Sequence, residues 1–181
     1  MTCSNKQTTM NQFFKIVVAA GLAMGLTSCL KDDEHYVDIQ GADYIAEIPY
    51  AANRSILRTF SVSAAQASLD TLIDVNIASP KPPTTDIPVT VAVDQAALTT
   101  YNTGRATPYV LLPANAYKIA NTTVTVPAGQ RIASVRMSFI PSQIPATGGP
   151  YALPISITAV PSNVTISANY HTQIVAVTLT K

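Results

Sequence analysis

From position 55 onward, apolar and polar residues trade places every second position in short runs broken at Pro, Gly and Asn, the pattern of half-buried strands. Ser55 to Ala64 and Thr71 to Ala78 read as strands, the second with Ile73, Val75 and Ile77 on one face and Leu72, Asp74 and Asn76 on the other. Ser79 to Asp86 carries three prolines and is a loop. Ile87 to Asp94 alternates most regularly, with Ile87, Val89, Val91 and Val93 inward. Asp94 then caps a single helical turn through Leu98 and Tyr101, closing at Asn102 and Gly104 as a plug over one end of the core. Tyr109 to Leu112, Tyr117 to Ala120 and Thr122 to Val126 follow as short strands. Pro127-Ala128-Gly129 turns the chain into Ile132 to Ile140, where Val135, Met137 and Phe139 alternate with Ser134, Arg136 and Ser138.

Pro141 to Pro150 is a Pro/Gly-rich loop, exposed by composition and a natural place for binding. After it Tyr151, Leu153, Ile155 and Ile157 face inward, and Pro154, which has no N–H to donate, places that strand at an edge or a bulge. Ile174 to Thr180 closes the sheet. Asp38 to Tyr50 holds a first extended segment that Asp43, Tyr44, Glu47 and Pro49 make irregular or an edge. Eight or so strands and no long amphipathic helix predict an all-β fold, a two-sheet sandwich.

The first forty residues follow another pattern. Lys15 precedes the apolar run Ile16 to Leu26, which is too short for the roughly 20 residues of a membrane-spanning helix and reads as an export signal. Leu26-Thr27-Ser28-Cys29 places an apolar residue three before, and a small one just before, a cysteine. That arrangement lets a lipoprotein peptidase expose the bond ahead of Cys29, whose thiol then carries lipid, palmitate included. Several acyl chains at about 0.8 kcal/mol per buried methylene make such attachment effectively permanent. Ordinary secretion, with cleavage after Gly25, is the competing reading. Met10 also opens a signal of normal length, so either Met1 or Met10 can be the start. The expected layout is a signal peptide over 1–28, a lipidated cysteine and acidic tether over 29–40, and a β-sandwich domain over 41–181. Lys31-Asp32-Asp33-Glu34, just after the cysteine, resembles the signal that sends Bacteroidota lipoproteins to the outer leaflet. The resemblance implies an outer-membrane protein facing the cell exterior; a solvated charged linker is the alternative.

Composition narrows the chemistry. About 150 residues remain after cleavage, one domain's worth. Cys29 is then the mature chain's only cysteine, since Cys3 is removed with the signal; disulfides, thiolate metal sites and cysteine nucleophiles drop out. Charged residues make up 12% of the chain and its formal charge is +1, which offers no electrostatic case for nucleic acid. All ten Asp and Glu lie at or before Asp94. Because glycoside hydrolysis ordinarily needs two flanking carboxyl groups, few places remain to build such a site.

Between Asp86 and Val160 the motifs Val91-Ala92-Val93-Asp94, Tyr101-Asn102, Tyr109-Val110-Leu111-Leu112-Pro113, Tyr117, Thr123 through Gly129 and Tyr151-Ala152-Leu153-Pro154-Ile155 follow one another. Their order and spacing resemble the Bacteroidota lipoprotein family catalogued as domain of unknown function 1735. The resemblance implies an immunoglobulin-like sandwich at the N-terminus of surface lipoproteins associated with glycan uptake. Family members are sometimes followed by glycosidase or carbohydrate-binding modules; no such module follows in this sequence, so no catalysis is carried over from one.

The candidate chemistry is sparse. His35 lies in the tether and His171 in a late loop or strand start, and neither sits in a metal or triad pattern. Gly104 and Gly148-Gly149 are turn glycines, not phosphate cradles. Tyr101, Tyr117 and Tyr151 read as packing residues, some anchored through the hydroxyl. Tyr44, Tyr50, Tyr109 and Tyr170 are the candidate glycan contacts, in a chain with no Trp. Asp70-Thr71-Leu72 resembles a Bacteroidota O-glycosylation acceptor, whereas Asn163-Val164-Thr165 carries little meaning in a bacterium. The reading is a non-enzymatic cell-surface lipoprotein, without metal or cofactor, that aids glycan binding or uptake. Its expected partners are the membrane through the lipid and a polysaccharide or outer-membrane uptake complex. The alternative is a structural adhesin or spacer binding a protein partner.

Overall fold

The computed structural model describes residues 43–180. The signal peptide, Cys29, the Lys31, Asp32, Asp33 and Glu34 run and His35 lie outside the described residues. The described residues belong to one compact unit.

The strands are β1 (Tyr44–Glu47), β2 (Leu57–Ser63), β3 (Leu69–Ala78), β4 (Ile87–Val93), β5 (Val110–Leu111), β6 (Tyr117–Ile119), β7 (Thr123–Val126), β8 (Ile132–Phe139), β9 (Tyr151–Ala159), β10 (Val164–Ile166) and β11 (Thr172–Thr180). The helices are α1 (Pro49–Asn53) and α2 (Gln95–Asn102). Sheet A runs β10-β1-β3-β8-β6; sheet B runs β2-β11-β9-β4-β7, with β5 beside the start of β9. β1 pairs in parallel with β10, and β2 with β11, so the chain crosses from one sheet to the other between β1 and β2.

The two sheets bury one another's inward positions. Ile73, Val75 and Ile77 of β3 and Val135, Met137 and Phe139 of β8 share a core with Val89 and Val91 of β4, Leu153, Ile155 and Ile157 of β9, and Val175 and Val177 of β11. Each set is the alternate-residue face expected of its strand, because successive side chains in a strand point to opposite sides. The all-β two-sheet sandwich is therefore the observed architecture. Thr71 belongs to the inward set of β3 and is buried, so the folded domain does not present it as a glycosylation acceptor.

Several local expectations need correction. The first segment is not an edge: β1 sits between β10 and β3, and Pro49 opens α1, where its missing N–H costs nothing. β10, a stretch the alternation did not single out, adds a strand beside β1. β11 does not close a sheet; it lies inside sheet B between β2 and β9.

β9 is also interior, despite Pro154. The carbonyls of Pro150, Ala152 and Pro154 all point to the side where β5 and β4 lie, accepting from Val110, Leu112 and Asp94 N–H. Pro154's missing donor therefore falls on that same side, at the junction where β4 ends and β5 has yet to begin. The last β4 pair is Val93 with Ile155, and β5 pairs only with Tyr151 and Ala152. A proline is tolerated in a central strand because its ring faces a gap in the neighbouring ladder.

The helix after Asp94 runs to Asn102 and lies over the outer face of sheet B, where it does not plug an end of the core. Leu98 is buried against Ala152, Ile174 and Ala176, the residues that alternate with the inward Leu153, Val175 and Val177. This second, smaller core buries both faces of β9 and β11, so residues 151–157 and 172–177 are continuously buried.

Candidate functional site

Asp94 ties the second core together. One carboxylate oxygen accepts the N–H of Ala97 at 3.0 Å as the N-cap of α2, and the other accepts the Ser156 hydroxyl at 2.9 Å. Ser156 in turn shares a 2.7 Å hydrogen bond with Thr172 on β11. The backbone hydrogen bond from Ala97, helped by Ser156, holds the Asp94 carboxyl below the usual carboxylate range, against the opposing effect of burial. A serine, an aspartate and a histidine are near one another here, but His171 Nδ1 is bonded to the Ser167 carbonyl at 2.7 Å and Ser156 is buried. The arrangement is a staple between a helix and two strands.

The rim of this core carries an aromatic patch. Asn102 makes two bonds to the backbone of Tyr109, donating to its carbonyl at 2.8 Å and accepting its N–H at 2.9 Å, which closes the loop turned by Gly104. The closure sets the half-buried rings of Tyr101 and Tyr109 6.2 Å apart. The exposed Arg105 lays its guanidinium 4.6 Å from the Tyr101 ring and 5.4 Å from that of Tyr109, and Val110 beside them is exposed.

A second candidate lies where the inter-sheet core turns polar. Phe60 and Val62 of β2 and Val175 and Val177 of β11 point inward, so by alternation Arg58 and Gln173 occupy inward positions too. They line a cavity of about 360 Å³ with Tyr50, Leu72, Ile73 and Asp74. Arg58 stacks between Tyr50 and Phe60, 5.0 and 4.6 Å from the ring centres, and donates to the Leu72 carbonyl at 3.0 Å. Phe60 packs on Phe139 of the facing sheet at 6.0 Å. Gln173 is fully buried; its amide nitrogen donates to the carbonyls of Ser55 and Ile56, while its oxygen has no partner among the described residues.

The Pro141 to Pro150 loop forms a shallower pocket of about 300 Å³ against Val177, Thr178 and Leu179. It is pinned from below by the Tyr151 hydroxyl, which donates to the Thr147 carbonyl at 2.7 Å.

The four tyrosines singled out in the sequence are thus scattered. Tyr44 packs half-buried against the main core, Tyr50 borders the polar cavity, Tyr109 belongs to the patch over sheet B, and Tyr170 is exposed elsewhere. Of the presumed packing residues, Tyr117 packs against the main core, Tyr151 is buried within it and Tyr101 is shared with the patch. Arg58, Arg105 and Gln173 escaped the sequence reading. Gln173 alone left a signal, a polar residue opening the apolar run of β11. Among the described residues no cluster of three or more His, Cys, Asp or Glu is placed to hold a metal.

A family model for an N-terminal domain matches residues 43–164, and the chain superposes on a solved multidomain protein from Bacteroides ovatus that includes domain of unknown function 1735, DUF1735. The chain belongs to this family. That DUF1735 structure is 17% identical, with a TM-score of 0.59 over 76% of this chain and 45% of its own. A candidate carbohydrate binding protein from Bacteroides ovatus is 16% identical, with a TM-score of 0.60 over 74% of this chain and 36% of its own. EndoBT-3987 of Bacteroides thetaiotamicron, solved with a Man5GlcNAc product, is 23% identical, with a TM-score of 0.61 over 74% of this chain and 30% of its own. The DUF1735 chain thus spans less than half the length of each of these. At such identities the likeness establishes the shared fold. No curated protein matches the sequence.

Proposed function

We propose that this DUF1735 chain is a non-enzymatic lipoprotein of the cell surface that helps capture glycans. It would be held by lipid on Cys29 and presented outward by the Lys31, Asp32, Asp33 and Glu34 run. The observation that carries the binding part is the patch of Tyr101, Tyr109 and Arg105 on the outer face of sheet B. Sugar rings offer an apolar C–H face that stacks on tyrosine and hydroxyls that accept from a guanidinium. Stacking of an exposed arginine on a ring is worth only about 0.5–1 kcal/mol, so a sugar can share or displace that contact at little cost. The company of a candidate carbohydrate binding protein and an endoglycosidase product complex among its structural neighbours supports the same reading.

A hydrolytic role is less well supported. Asp70 and Asp74 accept from Ser138 and Ser134 on the outer face of sheet A. Four residues apart on one strand they stand about 13 Å apart at roughly 3.3 Å per residue, wider than the roughly 5–9.5 Å between the carboxyl groups of glycosidases.

A single shallow patch binds weakly, and dense display on a membrane compensates through avidity. The test is native affinity electrophoresis and calorimetry of residues 30–181 against dietary and host polysaccharides. Retardation should be abolished by Tyr109→Ala with Arg105→Ala. No retardation on any polysaccharide, with a stable protein partner recovered from outer membranes, would move the assignment to a structural adhesin or spacer. Labelled palmitate should enter the wild type and not Cys29→Ser. Protease added to intact cells should reach the domain, and should fail to do so when residues 31–34 are all alanine.

A further inference from the structure

We infer that the polar end of the inter-sheet core is a pocket for one ring of a neutral, polyhydroxylated ligand, separate from the aromatic patch. The choice of ligand class rests on the glycan reading above; the site itself rests on Gln173. A buried polar atom without a partner has lost its hydration with nothing in return and calls for an explanation. The amide cannot be turned round to relieve it, because its oxygen would then face the carbonyls of Ser55 and Ile56, which its nitrogen now satisfies. The free oxygen Oε1 therefore asks for an O–H or N–H donor from outside the protein; it is covered in this conformation, so a donor entering the cavity that Gln173 lines reaches it once the lining shifts slightly.

The rest of the lining selects among donors. Arg58 uses one N–H on the Leu72 carbonyl, and the guanidinium has four more donors to offer. Asp74 adds an acceptor at the mouth, since only its Oδ1 is taken, by Ser134. Tyr50 also lines it, and the edge of β3 adds an apolar wall of the buried Ile73 and, from the outer face of sheet A, the half-exposed Leu72. Donors and acceptors set against an apolar wall suit neighbouring hydroxyls, each of which gives one hydrogen bond and takes another. One arginine and one aspartate balance in charge, so the lining does not select an anion. A peptide strand is disfavoured. Although β1 pairs only with Asn76, Ile77 and Ala78 and, among the described residues, leaves the earlier edge of β3 without a strand neighbour, the Arg58 side chain donates to the Leu72 carbonyl on that strand. The volume, at the lower end of the roughly 300–1,000 Å³ typical of ligand pockets, fits a chain end better than the middle of a polymer.

The experiment titrates ¹⁵N-labelled residues 30–181 with mannose, N-acetylglucosamine, galactose and glucose, following the Gln173 side-chain amide and the Arg58 Nε–H. At least one sugar should shift both signals saturably. Gln173→Met and Asp74→Asn should each weaken that sugar at least about tenfold with the melting temperature little changed, and Tyr109→Ala should leave it unaffected. If Gln173→Met does not fold, Asp74→Asn and Arg58→Lys decide the matter. No saturable shift with any of the four sugars, or equal affinity in the variants, would mean that Gln173 holds only a buried water. Polysaccharide retardation that persists in that event would leave the glycan reading standing and remove this pocket alone; loss of both would remove both.

Discussion

The outer faces of the two sheets are built to different rules. On sheet A the face is bare among the described residues: Leu72 and Ile132 stand about half exposed among an aspartate–serine ladder, Asp70 with Ser138 and Asp74 with Ser134. On sheet B the equivalent positions, Ala152, Ile174 and Ala176, lie under α2 and the β5 segment. β3 therefore alternates buried with exposed residues, whereas β9 and β11 are buried almost throughout. A sheet needs only one covered face to be stable. The second cover accordingly does something the core alone does not require: it fixes the loop that carries Tyr109 and Arg105.

The largest effect tests what the two sheets share. Val91 is fully buried between them, and Val91→Asp places an unpaired carboxylate there, costing several kcal/mol of the roughly 5–15 a domain possesses. Loss of the cooperative unfolding transition in circular dichroism is the expected outcome. Next comes Ile174→Ala, under α2. A true second core predicts a loss of about 2–5 kcal/mol in denaturant unfolding; a change of surface size, within about 0.5 kcal/mol, would show that α2 is a loose appendage.

Asp94→Ala removes the cap and the Ser156 link and should cost about 1–2 kcal/mol. Asp94's pKa is lowered on folding, so its contribution is fully present above the unfolded value near 3.9 and fades as pH falls through the lower folded value. Below about pH 4 the wild type and Asp94→Ala should therefore converge in stability. A gap that stays constant down to pH 2 would show that ionisation of Asp94 plays no part. The smallest effect belongs to the bare face: Leu72→Thr or Ile132→Thr should change stability by no more than about 0.5 kcal/mol. A larger loss would mean that sheet A also has a cover.

The period-two pattern alone determined the sandwich and nearly every inward residue, from Ile73 to Val177, because side-chain direction in a strand is a local property of the backbone. It also located the cap at Asp94, whose side chain reaches only three residues along the chain. What lay beyond it was pairing. Whether Pro154 sits at an edge depends on where β4 stops beside it, and that β10 is a strand at all depends on β1 offering it a parallel neighbour. Likewise, α2 lies over a sheet face because Ala152, Ile174 and Ala176, distant in sequence, are small and apolar enough to receive Leu98. The candidate sites follow the same division. Tyr50 and Tyr109 could be singled out by residue type, but Arg58, Arg105 and Gln173 acquire meaning only from their neighbours: a guanidinium needs rings to stack on, and an amide oxygen is unpaired only once folding has sealed it from water. Local periodicity is carried by the chain itself; partners distant along it exist only after the sheets have closed.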